Sequence, residues 1–323
     1  MQPALPQTPV TVLTGFLGSG KTTLLNRILT ENHGQKYAVI VNEFGEVGID
    51  NDLIVNADEE IFEMNNGCIC CTVRGDLIRI IDGLMRRRDR FDAILVETTG
   101  LADPAPVAQT FFVDDDVRSK TKLDSILTVV DAKHLLGEID TAQEAQEQLA
   151  FADTILINKT DLVSAEELGR VETRIRRINP TATIHQTQRC DIGLDKVLGR
   201  GAFDLDRILE VEPDFLDEFH EHEHDDLVSS IALVTKDPLD PVKFLPWLQM
   251  IIQRLGVDIL RTKGIMAFKN DNDRFVVQAV HMLVEGDHQR PWKPDEERVS
   301  RLVFIGRNLP KDVLESGFLA CRA

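Results

Sequence analysis

Gly15-Phe16-Leu17-Gly18-Ser19-Gly20-Lys21-Thr22, followed by Thr23, fits the spacing G-x-x-x-x-G-K-[ST]. That spacing makes a phosphate-binding loop. Glycines let backbone N–H groups close around phosphate oxygens, and a helix starting at the loop adds its partial positive charge. Lys21 is expected to reach the β- and γ-phosphates, and the Thr22 hydroxyl to ligate Mg²⁺. Farther along, Asn158-Lys159-Thr160-Asp161 is N-K-x-D, a guanine-reading pattern. The Asp161 carboxylate can accept the N1–H and 2-amino protons of guanine. Adenine cannot satisfy it, and an unpaired buried carboxylate is costly. The Lys159 stem is expected over the base, and Asn158 is expected to tie this loop to the phosphate loop. Between the two motifs, Glu97-Thr98-Thr99-Gly100 ends an apolar run. An acid there helps hold Mg²⁺ or its waters, and the Gly100 N–H can contact the γ-phosphate. The usual acid is Asp. Glu97 is one methylene longer, which favours a water-mediated or water-orienting role. Lys21, Thr22 and Glu97 are the candidate catalytic groups.

A second chemistry is written at Gly67-Cys68-Ile69-Cys70-Cys71, where three thiols fall within four positions. Thiolates at a helix start have lowered pKa values and bind soft or borderline ions. The cluster supplies at most three of the ligands a tetrahedral Zn²⁺ takes, so another must come from elsewhere or the position stays open. That suits a metal in transit better than one that staples a fold. A redox pair and buried structural thiols are the competing readings. Glu43 and Glu46 lie in the Gly-containing loop Asn42–Gly48, where a nucleotide-binding fold carries a γ-phosphate-sensing switch; taken alone they read as solvated loop acids. His220, His222 and His224 alternate with acids in a stretch rich in Asp and Glu. Alternating imidazoles can chelate transiently, and an exposed acidic linker is the plainer reading.

These groups need elements to position them. Val10–Thr14, Tyr37–Val41, Ala93–Val96, Ser125–Asp131, Thr154–Ile157 and Ala182–His185 are β-branched or apolar runs of the kind buried parallel strands show. Leu24, Leu25 and Ile28 recur at helical spacing after the phosphate loop; Val73, Leu77, Ile80, Ile81 and Leu84 do so after the cysteines. Asp103 is expected to cap a helix with Pro104 at its first position. Ser164-x-x-Glu167 is a capping box for a helix stopped at Asn179-Pro180. The loop Thr187–Cys190 is placed to close over the base, though its sequence is not diagnostic. The fold expected is α/β, a P-loop NTPase domain with a mostly parallel sheet flanked by helices over residues 1–202. An acidic His-containing linker follows over 203–227, then a smaller C-terminal α+β domain over 228–323. In that domain Ser230–Val234, Gly264–Phe268, Phe275–His281 and Leu302–Ile305 read as strands, and Val242–Leu255 and Lys311–Phe318 as helices.

Apolar residues make up 43% of the 323 positions, with no run near the ~20 a membrane span needs. A net charge of −18 argues against nucleic acid or an anionic membrane as partner. The first residues show neither the basic start nor the apolar centre of a signal peptide, so a cytoplasmic location is expected. In a reducing compartment the clustered cysteines do not read as a disulfide framework.

Taken together, Gly15–Thr22, Gly67–Cys71, Glu97–Gly100 and Asn158–Asp161 resemble the CobW-like GTPases. These are metallochaperones related to the GTPases of urease and hydrogenase maturation. The resemblance runs over essentially the whole chain and implies GTP binding, slow hydrolysis to GDP, and Mg²⁺ with the nucleotide. It implies Zn²⁺ or Co²⁺ at Cys68, Cys70 and Cys71, with Glu43 or Glu46 completing the site. It further implies a client protein that receives the metal. A monomer or a weak nucleotide-dependent oligomer is expected.

Overall fold

The computed structural model describes residues 7–42, 61–64, 71–201 and 227–323, with the backbone alone given at 42, 61–64 and 71–74. The chain divides into two compact units. One is Met1–Glu172 with Ala182–Ala202, the other Thr173–Thr181 with Phe203–Ala323.

In the first unit the apolar runs become β1 (Thr8–Thr14), β2 (Tyr37–Asn42), β3 (Ile61–Met64), β4 (Ala93–Glu97), β5 (Thr121–Asp131), β6 (Thr154–Asn158) and β7 (Thr183–Gln186). They form one sheet in the order β3-β2-β4-β1-β5-β6-β7, and every neighbouring pair is parallel. β1 sits where the strand order turns, with β4 on one side and β5 on the other. In open α/β sheets that is where ligands lie, outside the C-terminal strand ends. The crossovers are helical: α1 (Lys21–Thr30), α2 (Cys71–Met85), α3 (Ala105–Val113), α4 (Asp115–Lys120), α5 (Leu135–Thr141), α6 (Gln143–Phe151) and α7 (Ala165–Ile178), whose residues from Thr173 on belong to the second unit. Leu24, Leu25 and Ile28 of α1 pack on Leu13, Leu95, Leu127 and Leu156 of the sheet.

Local chemistry sets the boundaries. The Ser164 hydroxyl and Glu167 satisfy each other's backbone N–H groups at 3.2 and 2.7 Å, so the capping box is present. Those hydrogen bonds, backbone before side chain, hold the Glu167 carboxyl below its ordinary range. At α3 the Asp103 carboxylate accepts the Ala105 N–H at 2.8 Å. The helix begins one residue later than expected, with Pro104 as cap rather than first helical residue. β3, α4, α5 and α6 were not separately legible. β3 is four residues long, and α6 is buried from Ala145 to Phe151, polar residues included, so it shows no apolar stripe.

The second unit is built from β8 (Val228–Thr235), α8 (Pro241–Leu255), β9 (Ile259–Met266), β10 (Asp273–Val280), β11 (Leu283–Pro291), β12 (Ser300–Arg307) and α9 (Lys311–Ala320). The antiparallel sheet runs β11-β10-β9-β12-β8. Each strand expected from sequence is present, with bounds that differ by a few residues. β11 is additional. It reads as a polar loop because it lies half-exposed along its length at the sheet edge. The core joins Phe244, Trp247, Leu248, Ile251, Phe268, Phe275, Phe304 and Phe318. Gly317 is required there, since a Cβ would stand 2.2 Å from Trp247 Nε1. The other tryptophan, Trp292, lies 4.8 Å under the buried Arg274 guanidinium, which also pairs with Glu296. Among the described residues no helix is long and apolar enough to cross a membrane.

Candidate nucleotide site

Strand register brings the sequence motifs to one edge. Leu13 lies beside Glu97, Thr14 beside Thr128, Asp131 beside Asn158, and Ile157 beside Gln186. The C-terminal ends of β1, β4, β5, β6 and β7 therefore open on the same side, which is what a parallel ladder dictates.

The phosphate loop turns on glycines in the left-handed region. Gly15 has φ 141°, and a Cβ there would meet the Val129 carbonyl at 2.2 Å. Gly20 has φ 115° and would meet Asn158 Nδ2 at 2.4 Å. Neither position admits a side chain without moving backbone or a buried amide. Gly20 caps α1 without a side-chain hydrogen bond, and the first-turn N–H groups of a helix lack intrahelical partners. Lys21 folds back inside, donating from Nζ to the Gly15 and Phe16 carbonyls at 2.8 and 3.2 Å. Ser19 is buried with its hydroxyl unpartnered among the described residues. A loop with cationic and hydroxyl donors turned inward fits a polyphosphate, and the half-buried Thr22 hydroxyl fits a hard cation bound with it.

Glu97 is buried at the end of β4. Next to it, the Thr98 N–H donates to Leu13 O and its hydroxyl to Thr14 Oγ1, both at 2.9 Å, which locks this strand end to β1. Gly100 then passes so close to the phosphate loop that a Cβ would stand 2.7 Å from Leu17 Cδ2 and 2.8 Å from Leu17 N. The segment is held by Gln148 of α6, whose amide donates to the Gly100 and Ala102 carbonyls, each at 3.1 Å.

On the other flank Asn158 is nearly fully buried and works as a hub. Its Nδ2 donates to Ser19 O at 3.0 Å, as the sequence led one to expect, and its Oδ1 accepts the Cys190 N–H at 2.8 Å. Lys159 takes φ 59° and extends Nζ to Gly18 O and to Asp131 Oδ2, both 2.6 Å. Asp161 is exposed in the short 3₁₀ turn Thr160–Leu162. Thr160 is pinned by Thr187 O, and Arg189 and Cys190 both adopt left-handed φ, 51° and 56°. For residues with a Cβ this costs about 1–2 kcal/mol each. Burial pushes the Cys190 thiol up to about 11, so it stays protonated and donates to Gly20 O at 3.5 Å.

Asp131, Gln148, Cys190 and Arg27 were not singled out from sequence. An Asp at a strand end was visible at 131, but its pairing with Lys159 was not. Gln148 and Arg27 carry no local signal. Glu43, Glu46, Cys68, Cys70, the Cys71 side chain, His220, His222 and His224 lie outside the described residues. Among the described residues no cluster of His, Cys, Asp and Glu is placed to hold a transition metal.

A parallel sheet with a phosphate loop at its turning point and the Asn158–Asp161 loop two strands away defines a P-loop nucleotide-binding protein. The family model described as "CobW/HypB/UreG, nucleotide-binding domain" matches residues 9–186, and "Cobalamin synthesis protein cobW C-terminal domain" matches residues 228–322. The chain belongs to the CobW/HypB/UreG family. It is 36% identical over 318 residues to the zinc chaperone YjiA of Escherichia coli, covering 97% of this chain and 98% of that protein. It is 34% identical to the zinc-regulated GTPase metalloprotein activator 1 of Schizosaccharomyces pombe, over 94% of this chain and 84% of that one. The crystal structure of Zn(II)-bound YjiA GTPase from E. coli superposes with a TM-score of 0.80 at 30% identity, over 99% of this chain and 100% of that chain.

Proposed function

We propose that this chain is a GTP-hydrolysing metallochaperone. It binds Zn²⁺, with Co²⁺ as the alternative cargo, and hands it to a client metalloprotein as its nucleotide state changes. The observation that carries the reading is the meeting of the phosphate loop, the Gly100 segment and the Asn158–Asp161 loop at one sheet edge. The zinc chaperones and zinc-regulated GTPase among its relatives supply the cargo. Gly20–Thr23 and the start of α1 would cradle the phosphates, and Lys21 would offset charge on the transferring phosphoryl group. Mg²⁺, when bound through the Thr22 hydroxyl, would neutralise the β/γ-oxygens. Glu97 would orient water, and the Gly100 N–H would register the third phosphate. Asp161 would accept the guanine edge. No arginine finger is apparent in sequence, which supports slow turnover.

Register also supports coupling of nucleotide to metal. β2 ends at Asn42, one residue before Glu43, and its Val41 lies beside Glu97. β3 ends at Met64, beside Asn42, four residues before Cys68. The strand that leads to Glu43 is thus the neighbour of the strand that ends in Glu97, and the strand that leads towards Cys68 lies one position farther out. Coupling between such sites is reciprocal.

The test is Zn²⁺ and Co²⁺ affinity by competition with a chromophoric chelator, with GDP–Mg²⁺ and then with a non-hydrolysable GTP analogue. A shift of about tenfold or more, ~1.4 kcal/mol, is expected, and it should vanish in a Cys68/Cys70/Cys71→Ala variant. Equal affinities in both states would reduce the protein to a GTP-binding switch with a structural metal or redox-sensing thiols.

A further inference from the structure

The left-handed turn at Arg189-Cys190 is held from three directions. Asn158 accepts the Cys190 N–H, Gly20 O accepts its thiol, and its carbonyl receives the Arg27 guanidinium from α1. Strained turns persist where their surroundings over-determine them, and they gather at functional sites. Two of these ties come from the phosphate loop and base loop themselves. The third reaches across 163 positions of sequence from the helix that the phosphate loop starts. Arg27 is itself oriented by Glu31, bound at 2.5 and 3.0 Å, with Asp191 at 3.5 Å beyond. The ion pair to Glu31 is partly exposed, and such pairs contribute little on their own. The bond to the Cys190 carbonyl is different in kind. It is charge-assisted, and it ends on a buried residue whose N–H fixes Asn158.

We infer that Arg27 is a specificity-positioning residue for the purine side of the nucleotide site. It holds the Arg189-Cys190 turn against Asn158, so that the base-reading loop is preformed and bound to the phosphate-loop helix as one body. Arg27 touches no nucleotide atom in this account. Its effect passes through Cys190 and Asn158 to the loop bearing Asp161. The inference rests on the guanine-nucleotide reading above.

The test measures affinity for GDP–Mg²⁺ and for Mg²⁺–tripolyphosphate, a ligand with phosphates and no base, in the wild-type chain and three variants. Arg27→Met is expected to weaken GDP about tenfold while leaving tripolyphosphate within about twofold, because only the base loses its support. Arg27→Lys, which can still donate to a carbonyl, is expected to recover part of the loss. Glu31→Gln, which removes the ion pair and keeps the carbonyl bond, is expected to stay within about twofold of wild type. Circular dichroism melts check that each variant is folded. Unchanged GDP affinity in folded Arg27→Met overturns the inference. So does an equal loss for both ligands, which would make Arg27 a mere support of α1, and so does a Glu31→Gln loss matching that of Arg27→Met. Failure of the wild-type chain to bind GDP while binding tripolyphosphate would sink the guanine reading itself, and is seen before any variant is made.

Discussion

The two units bury polar groups in different places. In the first, Asn158, Lys21, Thr98 and Gln148 are buried at the C-terminal edge of a parallel sheet, and their hydrogen bonds hold the loops and strand ends of that edge. In the second, the buried Arg261, Lys263, Arg274 and Gln278 lie along β9 and β10, and the core beside the helices is a cluster of aromatic side chains, with Phe244 in ring contact with Trp247, Phe268 and Phe318. An apolar cluster is tolerant of detail and costly to empty. A polar web is cheap in area and specific in geometry.

Emptying the aromatic cluster is the strongest way to probe that contrast. Phe244→Ala is expected to cost about 3–5 kcal/mol, read by chemical denaturation, with GDP affinity retained under native conditions. Loss of GDP affinity in the folded variant would show that the division of labour is wrong. A smaller effect is expected at the rim of the polar web. Asp161→Asn replaces the carboxylate that would take two guanine protons, and should cost GTP about 1.5–3 kcal/mol in affinity. Discrimination over ATP should narrow by the same factor in competition binding. Unchanged discrimination would detach base reading from this loop.

The smallest effect concerns Glu138 of α5. Its Oε2 is buried without a partner among the described residues. Burial first, then the Asp131 charge, raises its carboxyl above the ordinary range. A folded-state pKa above the unfolded one means that the ionised form is penalised in the fold. That penalty is present above the raised value and is relieved as pH falls through it. Glu138→Gln is therefore expected to raise the melting temperature slightly at neutral pH, with the gain shrinking under mild acid. A gain that does not depend on pH would remove the charge from the account.

What was legible in sequence is what is contiguous. The phosphate loop and N-K-x-D declare themselves within a few residues, because glycines, a cation and a carboxylate must stand at fixed offsets from a strand end. The ties that preform the site do not. Arg27 to Cys190, Gln148 to Gly100 and Lys159 to Asp131 join residues that only the strand order brings together. The same limit hid α6, since a helix buried around its circumference carries no stripe, and β11, whose polar alternation at a sheet edge resembles a loop. In the second unit the aromatic strands were legible because one face packs on the core and the alternation survives.

Both tryptophans of the chain, Trp247 and Trp292, lie in the second unit, and its single tyrosine, Tyr37, lies in the first. Intrinsic indole emission therefore reports on the aromatic unit alone, and the nucleotide-site unit is silent in that window. Any change in emission when a guanine nucleotide is added would be a message received by one unit about an event in the other, read without attaching a label.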